Sequence, residues 1–238
     1  MSDSMSPGLS PLPYDPDMSL RGPRPGTLAL RGRNISLVLK RGFDILGAAM
    51  LLLILLPLLP LLVLAVRMDG GPALYRQTRV GLNGRSFDCL KYRTMVVGAD
   101  RMLADHLAAS PLASAEWAAT RKLRHDPRIT RLGAMMRSTS LDELPQLLNV
   151  LRGEMSLVGP RPVVHEELEQ HYGTAGRNAY AATKPGITGL WQISGRSGTT
   201  YEQRVSLDIA YVRTWSLYLD MKILLRTLPA VLGRRGAV

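Results

Sequence analysis

ILGAAMLLLILLPLLPLLVLAV, running from Ile45 to Val66, is the stretch that decides the fold. It is uncharged and almost wholly aliphatic, and at the helical rise it is long enough to cross a hydrocarbon core of roughly 30 Å. A secretory signal is not expected: some forty residues precede the run, the run is too long, and no small-x-small cleavage pattern follows. The flanks are basic on both sides, with Arg21, Arg24, Arg31, Arg33, Lys40 and Arg41 before it and Arg67, Arg76, Arg79, Arg85, Lys91 and Arg93 after it. The positive-inside rule would keep both flanks in the cytoplasm. A helix that bends and returns meets that condition, and Pro57 and Pro60 supply a reason to bend, because each removes a backbone donor and obstructs the preceding turn. Prolines also occur in spanning helices, so charge and proline leave both topologies open.

Outward from this run, residues 1–33 are rich in Pro, Ser, Gly and Arg, and read as a disordered leader. Residues 34–68 form a basic lead-in and the membrane helix, 69–232 a catalytic domain, and 233–238 a tail. Ala73 to Val80 and Ser86 to Thr94 flank Leu82-Asn83-Gly84, which predicts a β-hairpin. Helical runs follow at Ala99 to Leu123, broken by Ser110-Pro111, then at Ile129 to Arg137 and Leu144 to Arg152. Gly159 to Pro162 and Lys184 to Gly198 read as loops. Tyr201 to Leu232 reads either as an interfacial helix or as a core helix with snorkelling cations. The fold expected is mainly α with a small β-hairpin.

The chain has 238 residues, with 30 Lys+Arg against 19 Asp+Glu and a net charge of +11. That excess implies an anionic partner: nucleic acid, an acidic membrane or a phosphorylated substrate. No nucleic-acid reading motif accompanies it, so a nucleic-acid partner is not expected. Cys89 is the one cysteine; it reads as buried filler and favours a cytoplasmic setting for the soluble part.

Chemistry concentrates at Ser140-Leu141-Asp142-Glu143-Leu144-Pro145. The plain reading is a capping box, with Ser140 as cap and Glu143 reaching back. Ser140 as cap would put Pro145 at the fifth helical position, where a donor is needed; Asp142 as cap puts it at the third, where none is missed. Either way two carboxylates sit at a helix N-terminus, where the dipole favours their ionised forms. Such a pair suits phosphoryl transfer, since a carboxylate can attack phosphorus or hold Mg²⁺. Cations to meet the phosphates lie nearby in Arg128, Arg131, Arg137 and Arg161, the last fixed between Pro160 and Pro162. The loop from Lys184 to Arg196 offers further donors, without a Walker or dinucleotide pattern. His165, Glu166 and His171 lack the spacing of a zinc helix.

Lys40-Arg41-Gly42-Phe43-Asp44, Gln77-Thr78-Arg79-Val80-Gly81, Lys91-Tyr92-Arg93-Thr94-Met95, Asp126-Pro127-Arg128-Ile129-Thr130, Leu141 to Gln146, Gly153 to Pro162 and Lys184 to Gly189 occur in order between about Lys40 and Pro229. Together they resemble the bacterial sugar transferases known as monotopic phosphoglycosyl transferases. The resemblance implies a re-entrant membrane helix with both ends cytoplasmic and interfacial amphipathic helices, on the cytoplasmic face of a bacterial inner membrane. It also implies transfer of hexose-1-phosphate from a UDP-sugar, galactose slightly ahead of glucose, to undecaprenyl phosphate at the start of exopolysaccharide synthesis. Asp142 would attack the sugar-bearing phosphate and release UMP, and Glu143 would help hold Mg²⁺. Arg137 and Arg161 match phosphate-contacting positions, Lys40 and Arg41 match the basic pair at the membrane, and Arg128 and Arg196 are counted with the phosphate binders. One departure is Leu56 before Pro57, where the family usually has Ser. The rival expectation is a non-catalytic basic scaffold that binds membrane lipids through residues 21–41 and the tail helix. Homo-oligomerisation is left open.

Overall fold

The computed structural model describes residues 27–120, 123–194 and 200–232. The leader at 1–26, Lys122, Arg196 and the tail at 233–238 lie outside the described residues. The chain divides into residues 1–35 and a unit of residues 36–238, which holds the candidate site.

The apolar run forms two helices, the end of α1 (Thr27–Leu55) and α2 (Leu58–Arg67), bent by 70°. Pro57 is the bend, directly preceding α2. Pro60 is the third residue of α2, where a first-turn amide has no intrahelical acceptor, so it costs the helix nothing. Among the described residues no single helix is long and apolar enough to cross a membrane; the bent pair together is, by length and composition. α1 starts at Thr27, where helix formers Leu28, Ala29 and Leu30 follow Pro25-Gly26 immediately.

One stripe of the pair, with Ala48, Leu62 and Val66, is buried, while Leu46, Leu53, Ile54, Leu61 and Leu64 face outward, Leu53 at 71% exposure. The buried stripe is locked by polar groups. Asp44 Oδ1 accepts from Ser156 Oγ and from the Leu157 amide, both at 3.0 Å. Lys40 Nζ donates to Asp220 Oδ2 at 2.6 Å and to the Val158 carbonyl at 3.0 Å. Arg41 donates to the carbonyls of Val150 and Leu151 at 2.7 and 3.0 Å.

The hairpin forms as expected, with β1 (Leu74–Val80) antiparallel to β2 (Ser86–Tyr92). Asn83 and Gly84 both take positive φ in the turn, which those residue types tolerate best. α3 (Ala99–Ala109) and α4 (Pro111–Thr120) are separated at Ser110, whose hydroxyl accepts from Ala113 N. α5 (Arg131–Ser138) is capped by Thr130, whose hydroxyl accepts from Gly133 N at 2.9 Å. α6 spans Gln146–Arg152.

Within the stretch from Lys184 to Gly198 read as a loop, Gly186–Thr188 is instead a strand, β4, parallel to β3 (Ser156–Val158), a segment to which the sequence assigned no element. A Cβ on Gly186 would lie 2.0 Å from Gly159 N, so only glycine allows this approach. Between the strands run α7 (His165–His171) and α8 (Gly173–Ala181). α9 (Leu190–Ile193) follows β4. The C-terminal run is two helices, α10 (Tyr201–Thr214) and α11 (Leu217–Leu232). Their break corrects the single helix expected: Ser216 Oγ accepts from Leu219 N at 3.1 Å and starts α11 afresh.

Candidate active site

Asp142 lies in a 3-10 turn, Leu141–Glu143, that begins after Ser140 in the left-handed region (φ 57). This replaces both capping alternatives. Ser140 makes no side-chain capping bond, and the N-cap of α6 is Pro145. Proline fits there because no amide is required of that position.

The turn buries Asp142 to 8% exposure. Burial, then the neighbouring Glu143 charge, push its carboxyl up to about 6, against the pull of Lys91 and Arg137. The dipole was expected to favour ionisation; for Asp142 loss of water outweighs it. Glu143 instead gains a cation, Lys91 Nζ at 2.7 Å. Burial, the largest single influence, would lower the Lys91 ammonium, but the charge and hydrogen bond of Glu143 together with the Asp142 charge turn the net shift upward.

Arg137, at the end of α5, donates Nε to Thr94 Oγ1 at 2.9 Å. Burial lowers it from its usual value, opposed by the Asp142 charge. Close contact of α5 with the strand end makes this bond, since a Cβ on Gly133 would lie 2.0 Å from the Thr94 carbonyl oxygen. Arg161 follows β3. Its amide donates to Asp208 Oδ1 at 3.3 Å, its carbonyl accepts from Tyr180 OH at 3.1 Å, and its guanidinium lies 5.4 Å from the Trp191 ring centre. Asp208 is buried and its carboxyl is pushed up to about 7 by that burial, with Tyr172 OH, 2.8 Å away, pulling the other way.

Asp142, Glu143, Arg128, Arg137 and Arg161 line one cavity of about 970 Å³, with Lys91, Thr94, Trp191 and Arg204. Leu51 and Leu55 of α1 and Leu224 of α11 also line it. Arg128 reaches the wall already held by both Asp126 oxygens, at 2.8 and 2.7 Å, with Trp117 at 5.1 Å. Lys40 and Arg41 do not line it; their donors go to Asp220 and to backbone carbonyls. Lys91, Thr94, Trp191, Arg204 and Asp208 were not singled out in the sequence. Lys91 and Thr94 stand in a quoted motif without a role, while Arg204 and Asp208 carry no local signal at all.

Among the described residues no group of three or more His, Cys, Asp or Glu converges on a metal position. Mg²⁺ is usually held by one or two carboxylates completed by water and substrate phosphates. The Asp142-Glu143 pair, hard oxygen donors opening on a large cavity, fits that pattern. Cys89 is buried, its thiol pushed up to about 11 by burial, and it is inert filler as expected.

Two neighbouring carboxylates, one of them ion-paired, and guanidinium groups on the facing wall define a site for phosphate esters, here beside an apolar bent helix pair. The chain belongs to the bacterial sugar transferase family, whose pattern matches residues 35–234. It is 50% identical over 206 residues to the exopolysaccharide production protein ExoY of Rhizobium meliloti, covering 86% of this chain and 90% of that one. It is 49% identical over 205 residues to the UDP-galactose-lipid carrier transferase of Erwinia amylovora, covering 86% of this chain and 43% of that one. A Haemophilus influenzae protein named as an uncharacterized sugar transferase is 47% identical over 99% of this chain and 51% of its own length. The chain thus spans about half the length of some of the relatives it matches.

Proposed function

We propose that the chain transfers a hexose-1-phosphate, galactose before glucose, from a UDP-sugar to undecaprenyl phosphate, giving undecaprenyl-diphospho-sugar and UMP. The observation that carries this is one cavity bordered both by the Asp142-Glu143 pair with its cations and by Leu51 and Leu55 of the apolar bent helix. A polar phospho-sugar and a lipid must meet at the same carboxylate, and few surfaces offer both. Relatives carry names of this kind: an undecaprenyl-phosphate galactose phosphotransferase of Salmonella typhimurium is 49% identical over 84% of this chain, and a UDP-glucose:undecaprenyl-phosphate glucose-1-phosphate transferase of Caulobacter vibrioides is 43% identical over 83%.

The setting proposed is the cytoplasmic face of a bacterial inner membrane, with the helix pair re-entrant. Outward leucines on α1 and α2, and Tyr218, Met221 and Leu225 on α11, are large apolar side chains left exposed, which suits contact with lipid. The 70° bend and basic flanks suit a helix that returns to its own side.

In the reaction, an Asp142 carboxylate oxygen attacks the phosphorus bearing the sugar, and the bond from that phosphorus to the oxygen bridging to UMP breaks. UMP leaves with the electron pair, and an acyl phosphate joins Asp142 to the sugar. An oxygen of the lipid phosphate then attacks the same phosphorus, and the Asp142 carboxylate departs as leaving group. Arg137 and Arg161 hold phosphate oxygens in both steps. Lys91 holds Glu143 in place through their ion pair. Mg²⁺, when bound, would be held by Glu143 beside Asp142 and would offset charge on the diphosphate.

Asp142→Asn tests this: turnover should fall at least about a thousandfold, as for loss of a covalent nucleophile, with membrane association intact. Wild-type enzyme given UDP-galactose without lipid should release UMP once per molecule and gain the mass of a hexose phosphate on Asp142. Full turnover by Asp142→Asn would overturn the assignment and favour the scaffold reading.

A further inference from the structure

Arg161 stands in a segment that follows β3 without regular secondary structure, between two residues that have no amide hydrogen to donate. Pro160 and Pro162 hold their own φ, and Pro162 disfavours a helical turn at residue 161. They also interrupt any ladder continuing from β3, so each carbonyl and amide from Pro160 to Val163 needs a partner from elsewhere in the fold. All six such groups have one. The Pro160 carbonyl accepts from the Gly186 amide of β4 at 2.8 Å, and the Val163 carbonyl from the Val80 amide of β1 at 2.9 Å. Arg79 Nη1 donates to the Pro162 carbonyl at 3.2 Å. The remaining three groups are met by two buried side chains. The Arg161 amide donates to Asp208 Oδ1 at 3.3 Å. Tyr180 OH accepts from the Val163 amide at 3.2 Å, and the carbonyls of Arg161 and Val80, both 3.1 Å away, share its hydrogen.

Tyr172 joins these two side chains to each other. Its hydroxyl donates to Asp208 Oδ2 at 2.8 Å, and its ring meets the Tyr180 ring edge-on with centres 5.5 Å apart. Tyr172 and Tyr180 belong to the apolar cluster of Val80, Val163, Leu168 and Val205, and Asp208 is buried beside them. None of the three lines the cavity that Arg161 reaches. Such a cluster closes at lower cost with Phe and Leu, because a buried hydroxyl or carboxyl gives up its water, and burial pushes the Asp208 carboxyl up to about 7. What the polar trio supplies, and an apolar one does not, is a partner for the Arg161 amide and another for its carbonyl.

We propose that Tyr180, Tyr172 and Asp208 are positioning residues for the transfer: they fix the Arg161 backbone so that its guanidinium is already placed where the donor's phosphate oxygens arrive. The inference rests on the reading of Arg161 as a phosphate contact. An arginine on a slack loop loses part of its binding free energy to ordering that loop, whereas a preordered one does not. Misplacement by about 1 Å costs about a hundredfold in rate. Loss of one hydroxyl remote from the cavity therefore reaches the reaction through the backbone of residue 161.

Arg161→Gln removes the guanidinium and leaves the backbone bonds in place, so a double-mutant cycle separates positioning from support of the fold. The rate of lipid-free UMP release from UDP-galactose, per folded molecule, and the melting temperature are measured for the full chain carrying Tyr180→Phe, Arg161→Gln, or both. Tyr180→Phe should slow release about tenfold or more when Arg161 is present, and by less than about twofold in the Arg161→Gln background. Its effect on melting should be the same in both. Equal slowing in the two backgrounds would make Tyr180 a support of the fold alone, and would overturn the proposal. Tyr172→Phe leaves both bonds of the Arg161 backbone intact and removes only the donor to Asp208 Oδ2. It should show the same pattern with a smaller loss, about threefold. If Tyr180→Phe does not fold, the Tyr172→Phe cycle decides, and a folded variant with no loss of rate overturns the proposal.

The same cycle tells failure of the inference from failure of what it rests on. Normal release by Arg161→Gln would sink the phosphate role of Arg161 and the positioning role with it, whereas slow release by Arg161→Gln with an additive cycle would sink positioning alone. Should wild type release no UMP without lipid, the two-step reading fails, and the cycle is run on binding instead. Asp142→Asn protein is then titrated calorimetrically with UDP-galactose. Tyr180→Phe should weaken binding about fivefold or more when Arg161 is present and leave it within about twofold in the Arg161→Gln background. Equal weakening in both, or none in either, would overturn the proposal.

Discussion

At the foot of α1 the cations are spoken for, while two of those that line the cavity, Arg137 and Arg161, are less fully engaged among the described residues. Lys40 has Asp220 and the Val158 carbonyl, and Arg41 has the last carbonyls of α6. Arg93 is similar, bonded to Asp69 and to the carbonyls of Val66, Pro72 and Met95. In the cavity, by contrast, Arg137 has one hydrogen bond among the described residues, through Nε, and the Arg161 guanidinium lies over the Trp191 face. Basic residues in matching motifs are therefore doing different jobs. Those at the helix foot fasten an apolar pair to a polar domain, and those in the cavity hold donors ready for a ligand. Counting bonds already made, rather than charge, separates the two.

The separation breaks most visibly at Lys40. Lys40→Met leaves Asp220, at 1% exposure, with Tyr211 OH at 2.7 Å and Trp215 Nε1 at 3.2 Å but no cation. Loss of one partner of a buried pair costs about 3–5 kcal/mol. Detergent-purified Lys40→Met should show a much lower melting temperature, and Lys40→Met with Asp220→Asn should recover part of it. Per folded molecule, KM for the UDP-sugar should stay unchanged. A raised KM with normal melting would put Lys40 among the ligand-holding cations.

Asp208 sharpens the comparison from the cavity side, because it holds the Arg161 backbone with a carboxyl pushed up to about 7. Its folded value lies above the usual unfolded one, so the folded state holds its proton more tightly than the unfolded state does. Stability from this group is complete below about pH 4 and declines as pH rises toward 7, where it levels off. The decline amounts to about 4 kcal/mol across that window. Asp208→Asn is neutral throughout, so it should match wild type near pH 4 and exceed it in urea midpoint near pH 7. A variant weaker than wild type at pH 7 would show that the bonds from Tyr172 and Arg161 outweigh burial.

Much of this was legible in the sequence, and the part that was not has a common cause. The apolar run, its break at Pro57, the Asn83-Gly84 hairpin and the carboxylate pair depend on neighbours in the chain. β3 and β4 do not: three residues each, set among Gly and Pro, give no period to read. Nothing around Lys40 announces Asp220, 180 positions away. The break before α11 was legible in principle, since Ser216 stands where an N-cap would, but a continuous pattern of apolar and basic residues hid it. The raised carboxyl of Asp142 was missed because a dipole can be read from local sequence, whereas burial depends on what packs over the turn.

The smallest expected effect is at Arg137, and it tests whether open donors matter beyond charge. Arg137 Nε is fixed to Thr94 Oγ1, which leaves the terminal nitrogens at the cavity wall near Asp142. Arg137→Lys keeps the positive charge but cannot bond Thr94 and grip a phosphate with a planar fork at once. If the fork is what binds, the loss is that of one charge-assisted bond, about 1.5–3 kcal/mol, or roughly 10- to 100-fold in kcat/KM for the UDP-sugar. Melting should change little, because one part-buried bond to Thr94 contributes about 1 kcal/mol. Lipid-free UMP release should slow by the same factor as overall turnover, since Arg137 acts where the nucleotide leaves. Unchanged kcat/KM with a large fall in melting temperature would place Arg137 with Lys40, as a fastening for α5 against the strand end, and would leave Arg161 and Lys91 as the cations that meet the donor's phosphates.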